Sequence, residues 1–307
     1  MVVLMGLLYA STFYQVDETN SQLVMGIVFN VVMFTSLGQQ AQIPMFMAAR
    51  EVFYKQRRAN LFSTASFVLS NSVSQVPVAV AESLVFGSII YWMCGYVSTV
   101  GAYIMFELVL FVTNLAFTAW FFFLSCASPN LNVANPISMV SVLFFILFAG
   151  FTITKDQIPD YFIWLYWINP MAWGVRALAV NQYSDSKFDT CVFDGVDYCA
   201  NYNMTMGEYS LTTFEVPTEK FWLWYGLVFM AASYVFFMFL SYIALEYHRF
   251  EAPENVTLDS DNKGEASDDY GLVRTPKAAP TEDATVVIIS PAKEKHFVPV
   301  TVAFKDL

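Results

Sequence analysis

Residues 102–127 read AYIMFELVLFVTNLAFTAWFFFLSCA, with one charged side chain, Glu107. As a helix this run reaches about 39 Å at 1.5 Å per residue, more than the roughly 30 Å hydrocarbon core of a bilayer. Working outward, the depletion of charge persists. From Ala59 to Thr154 the only charged side chains are Glu82 and Glu107. Over the 307 residues, 57% are hydrophobic, 18% aromatic and 13% charged. Soluble domains carry about 45–50% apolar and about 25% charged residues, so lipid is part of this chain's solvent. The expected fold class is an all-α polytopic membrane protein.

Further apolar runs flank the first. Leu23–Ala49, Val76–Tyr96, Ile137–Thr154 and Phe221–Tyr247 each read as a span. Pro77 stands near the start of one, and Leu61–Gln75 before it reads as a separate amphipathic stretch. Met1–Tyr14 is apolar but reaches only about 21 Å as a helix, so it reads as the truncated end of a longer span and the chain as a fragment. Tyr161–Val180 is aromatic, yet Pro170 and Arg176 interrupt it. A charge at mid-bilayer costs about 2.5–3.5 kcal/mol or more, which favours a segment that dips in and returns.

The net charge of −11 gathers in two places, residues 185–219 and the tail from Glu251 to Asp269. No basic stripe exists, which excludes the electrostatic footprint of a nucleic-acid binder. The tail composition from 251 to 295 reads as a disordered acidic linker. Residues 296–307 contain a β-branched alternation, Phe297–Phe304, that reads as a strand beginning another domain. Two distant histidines and scattered cysteines offer no metal site, and nothing resembles a catalytic constellation.

Orientation follows from the densest basic patch, Arg50-Glu51-Val52-Phe53-Tyr54-Lys55-Gln56-Arg57-Arg58. Short loops rich in Lys and Arg stay on the cytoplasmic side. With Tyr161–Val180 re-entrant, residues 181–220 face the exterior and 248–307 the cytoplasm. The exterior loop holds Cys191, Cys199 and the sequon Asn203-Met204-Thr205. A Cys191–Cys199 bridge and a glycan on Asn203 both fit a secretory-side loop, and the bridge would contribute roughly 2–3 kcal/mol. The alternative is two unpaired thiols and a chance sequon.

The basic patch by itself reads either as a membrane-surface anchor or as a docking loop for a cytoplasmic domain, with Arg50, Glu51, Phe53, Tyr54, Lys55, Arg57 and Arg58 as its contacts. The patch is followed by Gln75-Val76-Pro77, Ala81-Glu82-Ser83-Leu84-Val85 and Tyr91-Trp92-Met93-Cys94-Gly95-Tyr96. Further on stand Phe148-Ala149-Gly150-Phe151, Ile158-Pro159 and Trp167-Ile168-Asn169-Pro170-Met171-Ala172-Trp173-Gly174. Together these resemble the membrane domain of G-subfamily ABC transporters, of the full-size pleiotropic drug resistance type, over roughly residues 1–250.

That resemblance implies a six-helix ABC-2 type membrane domain with re-entrant helices after the fifth span. It implies efflux of hydrophobic compounds, driven by ATP and Mg held in nucleotide-binding domains. No Gly-x-x-x-x-Gly-Lys-[Ser/Thr] phosphate loop occurs here, so those domains and a second membrane half would be partners outside these residues. Residues 296–307 would open the second nucleotide-binding domain. The plasma membrane is the implied location. By resemblance the second and fifth helices line the cavity, nominating Phe34, Thr35, Leu37, Ile146, Phe151 and Thr152. Phe151 and Thr152 align with a paired bulky plug in the family, and Thr152 departs from it. The rival reading is a channel or proton-coupled carrier using the intramembrane acids Glu82 and Glu107. Against both stands the plainer one, in which these acids are structural and the aromatics are ordinary packing.

Overall fold

The computed structural model describes residues 2–16, 20–193 and 195–248. The expected linker and the strand near 297–304 lie outside them. Eleven helices and one small hairpin are present among the described residues. They are α1 (Val2–Thr12), α2 (Ser21–Gln40), α3 (Ile43–Arg58), α4 (Thr64–Cys94), α5 (Val100–Ala127) and α6 (Leu131–Leu147), then α7 (Ile163–Ile168) and α8 (Pro170–Tyr183). The hairpin β1 (Val192–Phe193) and β2 (Val196–Asp197) follows, then α9 (Tyr198–Tyr202), α10 (Met206–Thr213) and α11 (Phe221–Tyr247). Four stretches are long and apolar enough to cross a membrane: 21–58, taking α2 with α3, then α4, α5 and α11. The apolar α1 and α6 are shorter, at 11 and 17 residues.

Local chemistry sets most boundaries. Asn20, Ser63 and Asn130 each accept a backbone N–H at the start of α2, α4 and α6. Asn169 caps α8 through the Met171 N–H at 2.9 Å, with Pro170 at the first helical position. Gly95, at φ +80°, closes α4 in the left-handed conformation that glycine adopts without strain.

Three prolines act differently from the sequence reading. Pro44, inside the expected span Leu23–Ala49, opens α3 and divides that span into two helices, so the basic patch lies on a helix and not in a loop. Pro77 is carried inside one continuous α4, which merges the expected amphipathic stretch with the span after it. Pro136 is likewise inside α6, which begins at Leu131 and ends at Leu147. At the start of α3 Pro44 has no intrahelical hydrogen bond to lose, and packing on neighbouring helices tolerates the missing N–H of Pro77 and Pro136. The expected single segment 161–180 is two helices broken at Asn169.

α5 is the hub, packed against α2, α3, α4, α8 and α11. α8 is buried from Pro170 to Val180. Its burial demands small residues: a Cβ on Gly226 of α11 would meet the Ala177 Cβ at 3.1 Å. α11 keeps an outward face of Trp224, Val228, Val235, Phe236 and Phe239. An apolar face of that extent suits lipid rather than water.

Candidate functional site

The helical period divides the basic patch into two faces. Positions 50, 53, 54 and 57 share one side of α3, while 51, 52, 55 and 58 share the other. Arg50, Phe53 and Tyr54 are buried; Glu51, Val52, Lys55 and Arg58 are exposed. The docking alternative of the sequence reading takes all seven of its contacts as outward, and the structure restricts the outward part to the second set. Arg50 is 2% exposed. Its Nη1 donates to the carbonyls of Ser125 at 2.6 Å, Cys126 at 3.4 Å and Ser128 at 2.6 Å. Its Nη2 donates to Pro129 at 3.2 Å. These acceptors lie at and just beyond the end of α5, where carbonyls lack helical partners and the dipole favours a cation.

The same helix reaches the end of α11. Arg57 Nη2 pairs with Glu246 Oε1 at 2.7 Å, and Arg57 Nη1 donates to the Leu245 carbonyl at 3.3 Å. Thr64 Oγ1 donates to Glu246 Oε2 at 2.7 Å, bringing in the start of α4. Phe53 stacks on Phe67 of α4 at 4.4 Å. α3 therefore clamps the neighbouring ends of α4, α5 and α11.

Glu82 lies within α4, at a junction of three helices. Its Oε2 accepts from Gln39 Nε2 of α2 at 2.9 Å and from Asn114 Nδ2 of α5 at 3.0 Å. Thr118 Oγ1 donates to Gln39 Oε1 at 3.0 Å, and Gln42 Nε2 donates to the same oxygen. Sequence reasoning singled out Glu82 but not Asn114 or Thr118. Their spacing of four on an apolar helix was the available signal. Glu107 sits elsewhere, at the α4–α5 crossing, where Ser88 Oγ donates to it at 3.4 Å and Gly87 leaves room for the carboxylate. The two acids do not share a site.

The nominated path residues separate. Phe151, just beyond α6, stacks on Phe29 of α2 at 5.0 Å and on Phe214 at 6.0 Å, and its ring tip lies 3.5 Å from a Cβ placed on Gly26. Gln40 Nε2 donates to Ser138 Oγ of α6 at 2.9 Å. Gly26, Phe29 and Gln40 thus mark the stripe of α2 that meets α6, and Leu37 falls on it. Phe34 turns instead to Tyr9 of α1, at 5.6 Å. Thr35 stands nearly opposite the stripe at about 100° per residue and donates to the Val31 carbonyl at 2.9 Å. Ile146 is half-buried and Thr152 exposed. Phe29 was not nominated; only the fold reveals its pairing with Phe151.

At the end of the bundle away from α3, α7 and α8 surround Arg176, which is also 2% exposed. Its Cζ lies 5.0 Å from the ring centroid of Tyr166, 4.9 Å from Trp167, 4.4 Å from Trp173 and 5.6 Å from Trp222. Each such contact contributes about 0.5–2 kcal/mol when desolvated. None of its three nitrogens has a hydrogen-bond partner among the described residues. Beyond α8, a disulfide joins Cys191 to Cys199 across the β1–β2 hairpin. Asn203 is exposed, at φ +55° at the end of α9, and Thr205 and Glu208 form a capping box for α10. Tyr209 lies in this region and ionises above the usual tyrosine range, chiefly through its hydrogen bond with Tyr202.

Residues 1–183 match the family model described as ABC-2 type transporter. The chain belongs to the ABC-2 type transporter family. It is a multi-pass membrane domain of the kind found in ABC transporter G family members. It is 30% identical over 275 residues to ABC transporter G family member 2 of Dictyostelium discoideum, covering 82% of this chain and 21% of that protein. It is 27% identical over 252 residues to ABC transporter G family member 51 of Oryza sativa subsp. japonica, covering 80% of this chain and 17% of the relative. It is 25% identical over 224 residues to ABC transporter G family member 31 of Arabidopsis thaliana, covering 73% and 15%. The chain thus spans about a fifth of the length of the relatives it matches. In this ABC-2 type domain, the α3 clamp and the Glu82 junction both converge on α5.

Proposed function

We propose that this domain is the membrane-spanning half of an ATP-driven exporter of hydrophobic compounds, of the full-size pleiotropic drug resistance type, in the plasma membrane. Six helices would span: α1 as the outer part of the first helix, beside the outer end of α4, then α2, α4, α5, α6 and α11. α7 and α8 would form the re-entrant pair. α3 would lie at the cytoplasmic face, residues 181–220 outside and 248–307 inside. Residues 251–295 would act as linker and 296–307 as the start of a second nucleotide-binding domain. ATP and Mg would be bound in the nucleotide-binding domains, and a second membrane half would complete the path.

The observation that carries this reading is the two-faced α3. Its inner face is bonded to the ends of α5 and α11, while Glu51, Val52 and Lys55 point outward. A push on the outer face would be delivered to both helices without loss in a loop. The path itself would run along the α2–α6 seam, where Phe29, Leu37 and Phe151 offer an apolar wall. Glu82 would hold α2, α4 and α5 together during the movement.

The test is Glu51→Arg in the full-length protein. Substrate-stimulated ATPase activity and transport should fall about tenfold, the scale of one reversed contact at a docking surface, with ATP binding retained. Unchanged stimulation and transport would remove the docking role and with it the main support for this reading.

A further inference from the structure

Two cations converge on one ring without a carboxylate. Arg176 Cζ lies 4.9 Å from the Trp167 centroid, and Lys155 Nζ lies 5.9 Å from it. Among the described residues neither has an acidic partner within 4.0 Å. The segment that follows is nevertheless acid-rich, with Asp185, Asp189, Asp197, Glu208, Glu215 and Glu219. The fold has kept these carboxylates away from a buried guanidinium whose Nε, Nη1 and Nη2 all lack a hydrogen-bond partner. Buried donors of a charged group are ordinarily paired, so three orphans on one side chain point to an acceptor supplied from outside the chain.

We propose that Arg176 and Lys155 form a binding site for the phosphate headgroup of an anionic lipid. Binding would require the wall of the site to open. α7 has six residues, of which Tyr166 alone is buried, yet it supplies two of the four rings around the guanidinium. A shift of α7 would uncover Arg176 beside Trp167, with Lys155 at the entrance. Lipid, rather than a soluble anion, is the fitting source because the surroundings are apolar. Tyr161, Phe162, Trp164 and Ile168 are exposed around α7, and Phe221 and Trp224 around the start of α11. Aromatic clusters of this kind sit at the headgroup level of a bilayer. The guanidinium fork would take two phosphate oxygens and the ammonium a third, while acyl chains lie along the exposed aromatics. On the orientation proposed above the site lies in the outer leaflet; the site itself does not depend on that orientation.

The test uses the full-length protein in phosphatidylcholine nanodiscs doped with brominated lipid, reading tryptophan quenching. Brominated phosphatidylglycerol should quench at a lower mole fraction than brominated phosphatidylcholine. Arg176→Met should abolish that preference, and Lys155→Gln should weaken it about tenfold. Arg176→Lys should retain part of it. If Arg176→Met does not fold, the two milder variants carry the comparison. Loss of the preference on adding inorganic phosphate supports the cation pair with a free anion as a competing source; no competition supports a lipid-borne headgroup. Equal quenching by the two lipids with no response to phosphate overturns the site, as does a preference unchanged in all three variants. Nanodiscs expose both faces and no transport is measured, so failure here leaves the exporter reading standing, and failure of that reading leaves this one.

Discussion

Two arginines in this domain are equally buried, at 2% exposure, and are stabilised in opposite ways. Arg50 lies at the end of α5 and donates to four backbone carbonyls. Arg176 lies at the other end of the bundle, with four aromatic rings around it and no hydrogen-bond partner among the described residues. Carbonyls at a helix end are fixed and directional, and losing their cation would orphan all four. Ring faces are not directional in this sense, and an apolar side chain of similar volume can occupy the same space. Burial alone therefore does not tell a structural cation from one whose donors are still available. The identity of the neighbours does.

Substitutions can break this comparison. The largest effect is expected for Arg50→Met, which should cost about 3 kcal/mol by leaving buried carbonyls unpaired. The apparent melting temperature of the detergent-solubilised full-length protein measures it, and a cost below about 1 kcal/mol would remove the cap on α5. Arg176→Met should cost less than about 1 kcal/mol in the same assay, because the cation–π contacts it loses are offset by no longer burying a charge without hydrogen-bond partners, and apolar packing fills the space. A cost equal to that of Arg50→Met would erase the distinction. The smallest effect is expected at the α3–α11 contact. The side chains of Arg57 and Glu246 are 22% and 33% exposed, so Glu246→Gln should cost about 0.5 kcal/mol. A double-mutant cycle with Arg57→Gln isolates the pair, and a coupling above about 1.5 kcal/mol would show that it behaves as a desolvated bridge.

Much of the architecture was readable from charge and length. The runs around 76–96, 102–127 and 221–247 became long helices, because few charged groups interrupt them, while 23–49 is divided between α2 and α3. The two faces of α3 are missed while the patch reads as a loop; once it is a helix, 50, 53, 54 and 57 follow the helical period. The prolines misled. A missing N–H and a fixed φ suggest a boundary near Pro77 and Pro136, yet both are carried inside helices packed on neighbours, whereas Pro44, expected inside a span, does mark a boundary by opening α3. Phe34 and Thr35 were nominated with Leu37 as path residues. Only Leu37 falls on the stripe of α2 that meets α6, because the side chain of Phe34 is taken up by Tyr9.

What the sequence by itself determined is the solvent of this protein and the helical form that solvent imposes. A backbone in hydrocarbon must satisfy its own hydrogen bonds, and long runs without charge leave the helix as the local solution. What only the tertiary structure decided is which polar groups meet. Glu82 with Gln39 and Asn114, Arg50 with the end of α5, and Arg176 with its four rings are contacts between segments far apart in the chain. Periodicity places a side chain on a face, but the element packed against that face is set by how all the helices fill one volume together.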